Sequence, residues 1–168
     1  MKKLLLKKMV IVAITLLTIN VAANAQEKGD MAVGGNLTLG TGNSLTNFGI
    51  GAKFQYNVTN PLRLEGSFTY FLKKDLISMW DLSANGHWLI PLTDNIVVYP
   101  LAGLSILGVA VDLGILGGSA SDNTFGVNLG GGIEFKLTDK LVLNAEPKYR
   151  IGNHWSRFFI SAGLAYRF

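Results

Sequence analysis

From residue 31 onward apolar and polar residues alternate with a period of two along most of the chain, the spacing that puts successive side chains on opposite faces of a β-strand. In the segment 48–57, Phe48, Ile50, Ala52, Phe54 and Tyr56 share one face and Gly49, Gly51, Lys53, Gln55 and Asn57 the other. Phe125, Val127, Leu129, Ile133 and Phe135 alternate in the same way with Gly126, Asn128, Gly130, Gly132, Glu134 and Lys136. Leu141, Leu143, Ala145, Tyr149 and Ile151 oppose Asn144, Glu146, Lys148 and Arg150, and Phe158, Ile160, Leu164, Tyr166 and Phe168 oppose Ser161, Gly163 and Arg167. Reading the whole chain this way predicts eight strands, near 31–39, 48–57, 62–71, 79–90, 96–107, 124–137, 141–151 and 157–168. The segment 96–107 is apolar on both faces, so its register stays open between Val97, Tyr99 and Leu101 on one side and Ile96, Val98 and Ala102 on the other. Pro100 and Pro147 fall inside strands, where each removes a ladder donor, and bulges are the expected accommodation.

Short turns separate alternate strand pairs at 57–61, 91–95 and 137–140, each built on a Thr followed by Asn or Asp, residues that bond their own backbone in turns. Between them lie longer breaks rich in Gly, Asn, Ser and Asp, near 40–47, 72–78, 108–123 and 152–156. Alternating short and long connections, with strands of about 9 to 14 residues, enough for the 9 to 11 that cross a bilayer at a tilt, are the pattern of a transmembrane β-barrel. A soluble sandwich alternates too, so the aromatic residues decide. Tyr56, Tyr166 and Phe168 fall at one end of the apolar faces and Phe48, Tyr70, Trp80 and Phe125 at the other, as in the paired aromatic girdles of a membrane barrel. The predicted fold is therefore all-β: an eight-stranded antiparallel up-and-down transmembrane barrel.

The first 25 residues read differently. Lys2, Lys3, Lys7 and Lys8 precede an apolar run that begins at Met9 and ends near Ala23-Asn24-Ala25, the layout of a secretory signal peptide cleaved after Ala25. Residues 26–168 then form the barrel domain. Of 15 Lys and Arg, four lie in this segment, against 11 Asp and Glu that all lie beyond it. The formal charge of +4 thus belongs to the export signal, the remaining chain is near neutral, and nucleic-acid binding loses its compositional support. The absence of cysteine excludes disulfides, thiolate metal sites and a lipid anchor on cysteine.

The C-terminal segment resembles the assembly signal of bacterial outer-membrane barrels, with Ser161, Gly163, Tyr166 and a terminal aromatic Phe168 in its four defined positions. Taken together, export segment, strand count, turn pattern and C-terminal strand resemble the small eight-stranded outer-membrane barrels of the OmpA and OmpX type. The resemblance implies a Gram-negative outer membrane, contact with its lipid, and recognition of the last strand by the barrel-assembly machinery. It brings no functional motif.

Charged residues on the inner faces bear on function directly. Reflecting the second and third strands about Thr59 predicts Lys53 opposite Glu65 and Gln55 opposite Arg63, all facing inward. Asp81, His87, Glu134, Glu146, Lys148, Arg150, Arg157 and Arg167 join them. Eight strands leave an interior just wide enough for side chains, and charges withdrawn from water must pair, so a salt-bridge network filling the lumen is expected. No spacing selects a catalytic set from Asp75, Asp112, Ser121, His154 and Ser156, no histidine or carboxylate group has metal-ligand spacing, and the glycine clusters do not lead a strand into a helix as a phosphate cradle requires. The protein is expected to be non-enzymatic and without cofactor. Val109, Val111, Leu113 and Ile115 continue the period of two into the longest break, an apolar edge that invites a partner by strand addition. The expected function is a structural or surface-interaction barrel. The alternatives are a small low-conductance porin and a soluble lipocalin-like carrier, in which aromatics would point inward and Lys53, Arg63, Glu65 and Glu146 outward.

Overall fold

The computed structural model describes residues 28–42, 45–74, 77–112, 119–153 and 155–168. The predicted signal peptide, Leu113, Ile115, Asp75 and His154 lie outside the described residues. Eight strands follow one another: β1 (Met31–Gly42), β2 (Leu45–Asn57), β3 (Leu62–Lys74), β4 (Ile77–Trp88, continued past Leu89 by Ile90–Pro91), β5 (Ile96–Asp112), β6 (Ser119–Lys136), β7 (Leu141–Gly152) and β8 (Arg157–Arg167). Each pairs antiparallel with its sequence neighbour, and β8 returns to β1 from Ala32 opposite Arg167 to Thr41 opposite Phe158. The sheet is a closed eight-stranded barrel. Closure gives every strand two neighbours and removes the free edge, the only way a sheet satisfies its backbone in hydrocarbon.

The three tight turns share one construction. Thr59, Thr93 and Thr138 each donate their N–H to the carbonyl of Leu62, Ile96 and Leu141, all at 3.2 Å. Leu62 and Ile96 donate back to the carbonyls of Thr59 and Thr93 at 3.2 and 3.4 Å, whereas the Leu141 N–H is held by the threonine hydroxyl at 3.0 Å. The same hydroxyl contact holds Leu62 at 3.2 Å and Ile96 at 3.1 Å. The β2–β3 turn corrects the expected pairing: Lys53 lies opposite Ser67, Gln55 opposite Glu65 and Asn57 opposite Arg63. The turn is centred on Asn60, as the other two are centred on Asp94 and Asp139, so the centre lies one residue beyond Thr59 and the register moves by two. A shift of two preserves the faces.

At the opposite end, the expected long breaks are mostly strand. Pairing continues through Gly42, Lys74, Asp112 and Gly152, well into the expected breaks. Backbone pairing does not require side-chain alternation, and the polar, glycine-rich composition that suggested loops is carried on strand extensions. Neither internal proline makes a bulge. Pro100 stays in register with Gly131, and the β4 ladder opens opposite it at Trp88 and Leu89, where Leu89 N–H bonds Pro61 O at 2.7 Å. Pro147 stays in register with Ile160, and the β6–β7 ladder opens between Gly130 and Ile133. The described register shift lies elsewhere, between Phe71 and Lys74.

The apolar faces point outward, with Phe48 64% and Phe125 74% exposed, and Tyr166 and Phe168 exposed at the turn end. This overturns the lipocalin-like alternative, because Lys53, Arg63, Glu65 and Glu146 are all buried inside. The register of β5 is now defined: Val97, Tyr99 and Leu101 point into the barrel.

Candidate functional site: the barrel interior

Alternation delivers one inward side chain from every second residue of each strand, and across eight strands these converge on a common axis. Lys53, Arg63, Glu65, Asp81, His87, Glu134, Glu146, Lys148, Arg150 and Arg157 are all buried there, and Arg167 is partly covered. They form distinct groups rather than one chain of ion pairs.

Near the tight turns, Arg63 grips Glu134 with both guanidinium nitrogens, at 2.5 and 3.2 Å, and its Nε donates to Asn57 Oδ1 at 3.1 Å. Arg167 Nη2 reaches the same carboxylate at 3.4 Å. A planar donor fork on a carboxylate is the strongest form of such a contact.

In the middle, Gln55 Nε2 donates to Glu65 Oε2 at 2.8 Å, while Lys53 Nζ donates to Asn144 Oδ1 at 2.8 Å and stands 3.8 Å from Glu65. Tyr99 O–H donates to Glu146 Oε2 at 3.0 Å, and its ring stacks on His87 with centroids 4.5 Å apart. Tyr99 lies flat over Gly132, where a Cβ would come within 2.4 Å of the phenol. Glu65, His87 and Glu146, remote in sequence and without ligand spacing there, therefore meet: one donor atom from each lies within 4.8 Å of the others.

Closer to the opposite end, Asn128 is a hub. It accepts from Ser105 Oγ at 3.0 Å and donates to Ser83 Oγ at 3.2 Å and Asn85 Oδ1 at 2.9 Å. Arg150 is fully buried, donating from Nε to Ser105 at 3.0 Å, from Nη1 to Trp155 O at 2.6 Å and from Nη2 to Thr124 O, with Asp81 4.0 Å away. Arg157 donates to Asn47 Oδ1 at 2.5 Å and lies over the Phe159 ring.

Two apolar groups pack among these side chains: Phe71, Met79, Leu107, Val109 and Phe159 toward the loop end, and Leu89, Val97, Tyr99 and Leu101 toward the turn end. The first corrects the expected partner edge. Val109 points inward and is buried, and Val111 is paired on both sides, with Ile77 and Ala120. At Val109 the apolar period of two marked a side chain that fills the lumen. Between the groups lies a cavity of about 20 Å³ lined by Lys53, Glu65, Asp81, Glu146 and Lys148 among others. Of the residues weighed for catalysis, Ser156 is engaged with the Gly152 backbone at 3.1 and 3.2 Å, and Ser121 is exposed on β6. Asn128, Asn144 and Tyr99 were not singled out beforehand. Alternation already placed the two asparagines inward; nothing in the apolar run around Tyr99 could have done so.

A closed barrel, apolar outside and polar within, defines a transmembrane β-barrel. The chain belongs to the outer membrane protein beta-barrel domain family, whose model matches residues 9–168. No curated protein matches in sequence. Among solved structures, the N-terminal β-barrel domain of Pseudomonas aeruginosa OprF is similar with a TM-score of 0.71 at 14% identity, covering 85% of this chain and 100% of that one. Neisserial surface protein A gives 0.68 at 18%, covering 83% and 96%, and Ail, the attachment invasion locus protein of Yersinia pestis, 0.61 at 19%, covering 84% and 99%. At these identities the likeness is one of fold.

Proposed function

We propose that the protein is an integral outer-membrane barrel with a structural or surface-interaction role, exported with loss of residues 1–25, whose filled interior does not conduct. The observation that carries this reading is the burial of Arg63, Arg150 and Arg157 with their partners, together with a cavity among Lys53, Glu65, Asp81, Glu146 and Lys148 of only about 20 Å³. That is room for about one water molecule, far less than a hydrated ion path needs. The role is read as non-catalytic. Recognition by the assembly machinery through Ser161, Gly163, Tyr166 and Phe168 belongs to the same reading, and an N-terminus at Gln26 in protein taken from membranes would support export as described.

A surface partner would meet the loop end. The fold is shared with Ail, an attachment invasion locus protein whose structure has been solved in complex with the heparin analogue sucrose octasulfate. The deciding experiment is conductance of the protein inserted in a planar bilayer, with insertion checked independently. Inserted protein without steps supports a closed barrel. Stable, reproducible steps replace this reading with a small porin, with Lys53, Glu65 and Arg150 as the residues to exchange for ion selectivity.

A further inference from the structure

We infer that Glu65, His87 and Glu146 form a site for one divalent transition-metal ion inside the barrel. Three strands supply the donors, an imidazole from β4 and carboxylates from β3 and β7, and the three donor atoms lie within 4.8 Å of one another. His87 Nε2 stands 4.0 Å from Glu65 Oε1. Bonds of about 2.0–2.2 Å to nitrogen and oxygen span that distance from an ion placed between them after small side-chain adjustments.

A second observation is independent of this proximity. His87 is 0% exposed, and neither of its ring nitrogens has a hydrogen-bond partner. A buried polar group left unsatisfied is costly, and a metal bond at Nε2 would satisfy one of the two nitrogens.

The surroundings hold the donors in place. Tyr99 positions two of them, stacking on the His87 ring and donating to Glu146. Gln55 occupies Glu65 Oε2, leaving Oε1 toward His87. Such supporting contacts orient ligands at metal centres. Glu65 and Glu146 also line the cavity of about 20 Å³ beside the site, which His87 does not line. A mixed imidazole and carboxylate set suits Zn²⁺, Mn²⁺ or Fe²⁺ better than Mg²⁺ or Ca²⁺, which favour oxygen alone.

Lys53, 3.8 Å from Glu65, and Lys148, on the same cavity wall, oppose a dication. They limit affinity, which supplies a test that a packing role for His87 would not pass. The full chain is refolded in detergent with Co²⁺ as the optical probe, followed by Zn²⁺ competition. The expected result is one Co²⁺ per folded chain, displaced by Zn²⁺. His87→Gln and Glu146→Gln should each weaken binding at least tenfold, His154→Ala should leave it unchanged, and Lys53→Gln should tighten it severalfold. Circular dichroism checks the fold of each variant, and the two ligand variants on separate strands guard against one failing to fold. Absence of stoichiometric binding, binding that survives both ligand variants, or binding weakened by Lys53→Gln overturns the proposal.

Discussion

Arg63 and Glu134 face each other across the turn end of the barrel, 71 residues apart in sequence and joined by two guanidinium contacts of 2.5 and 3.2 Å. The pair ties β3 to β6, strands that are not neighbours in the sheet. Removing one partner of a buried pair leaves the other charge stranded, at about 3–5 kcal/mol, whereas replacing both by apolar residues is far milder. Glu134→Leu, which takes the carboxylate from both Arg63 and Arg167, should lower unfolding free energy by about that amount, Arg63→Met by less because Arg167 still reaches Glu134, and the double variant by clearly less than the sum. Urea unfolding in lipid vesicles, followed by tryptophan fluorescence, measures all three.

Backbone packing offers a sharper contrast. At Gly103 an added Cβ would lie 2.2 Å from Ala84 O, a backbone atom that cannot turn aside, whereas at Gly66 it would meet nothing within 4 Å. Gly103→Ala should therefore destabilise by about 1–3 kcal/mol through overpacking. Gly66→Ala should be neutral or stabilise by up to about 1 kcal/mol by restricting the unfolded chain. The same unfolding assay separates them, and equal effects would discount the close approach at Gly103.

The threonine turns are alike but not equal. Thr138 Oγ1 accepts from Lys140 and Leu141, and Thr93 Oγ1 from Asn95 and Ile96. Thr59 accepts from Leu62 alone, because the residue in the equivalent place is Pro61. Replacement by Val removes the acceptor and keeps the shape. With each net hydrogen bond worth about 0.5–1.5 kcal/mol, and less when exposed, Thr138→Val and Thr93→Val should cost more than Thr59→Val.

How much of this was legible depends on what each residue's neighbours say. Lys53, Glu146 and Arg150 alternate with apolar residues, so their faces followed from the period of two, and with eight strands the interior followed from the faces. Tyr99 sits in a run apolar on both sides, and its inward orientation is set by β4 and β6 on either side. The β2–β3 register turned on the centre of a three-residue turn, which falls on Asn60 rather than Thr59, as it falls on Asp94 and Asp139 in the other two. Val109 and Val111 showed the right periodicity, yet whether an apolar face fills a lumen or meets a partner is a property of the closed barrel. The meeting of Glu65, His87 and Glu146 was hidden for the same reason: three strands bring together residues with no common spacing.

Phe168 joins the end of the chain to its first strand, with its N–H bonded to Met31 O at 3.0 Å and its carbonyl receiving Met31 N–H at 3.4 Å, while the ring stays 64% exposed. The backbone thus contributes to closure and the side chain does not. Phe168→Ala keeps both backbone bonds and removes only an exposed ring, so refolding in vesicles should change by less than about 1 kcal/mol. If the ring is read during assembly, the same substitution should strongly reduce the amount of barrel reaching the outer membrane in cells. Quantifying membrane-inserted protein beside in vitro stability distinguishes the roles: parallel losses would make Phe168 a packing residue, whereas a cellular deficit with unchanged stability marks it as a signal.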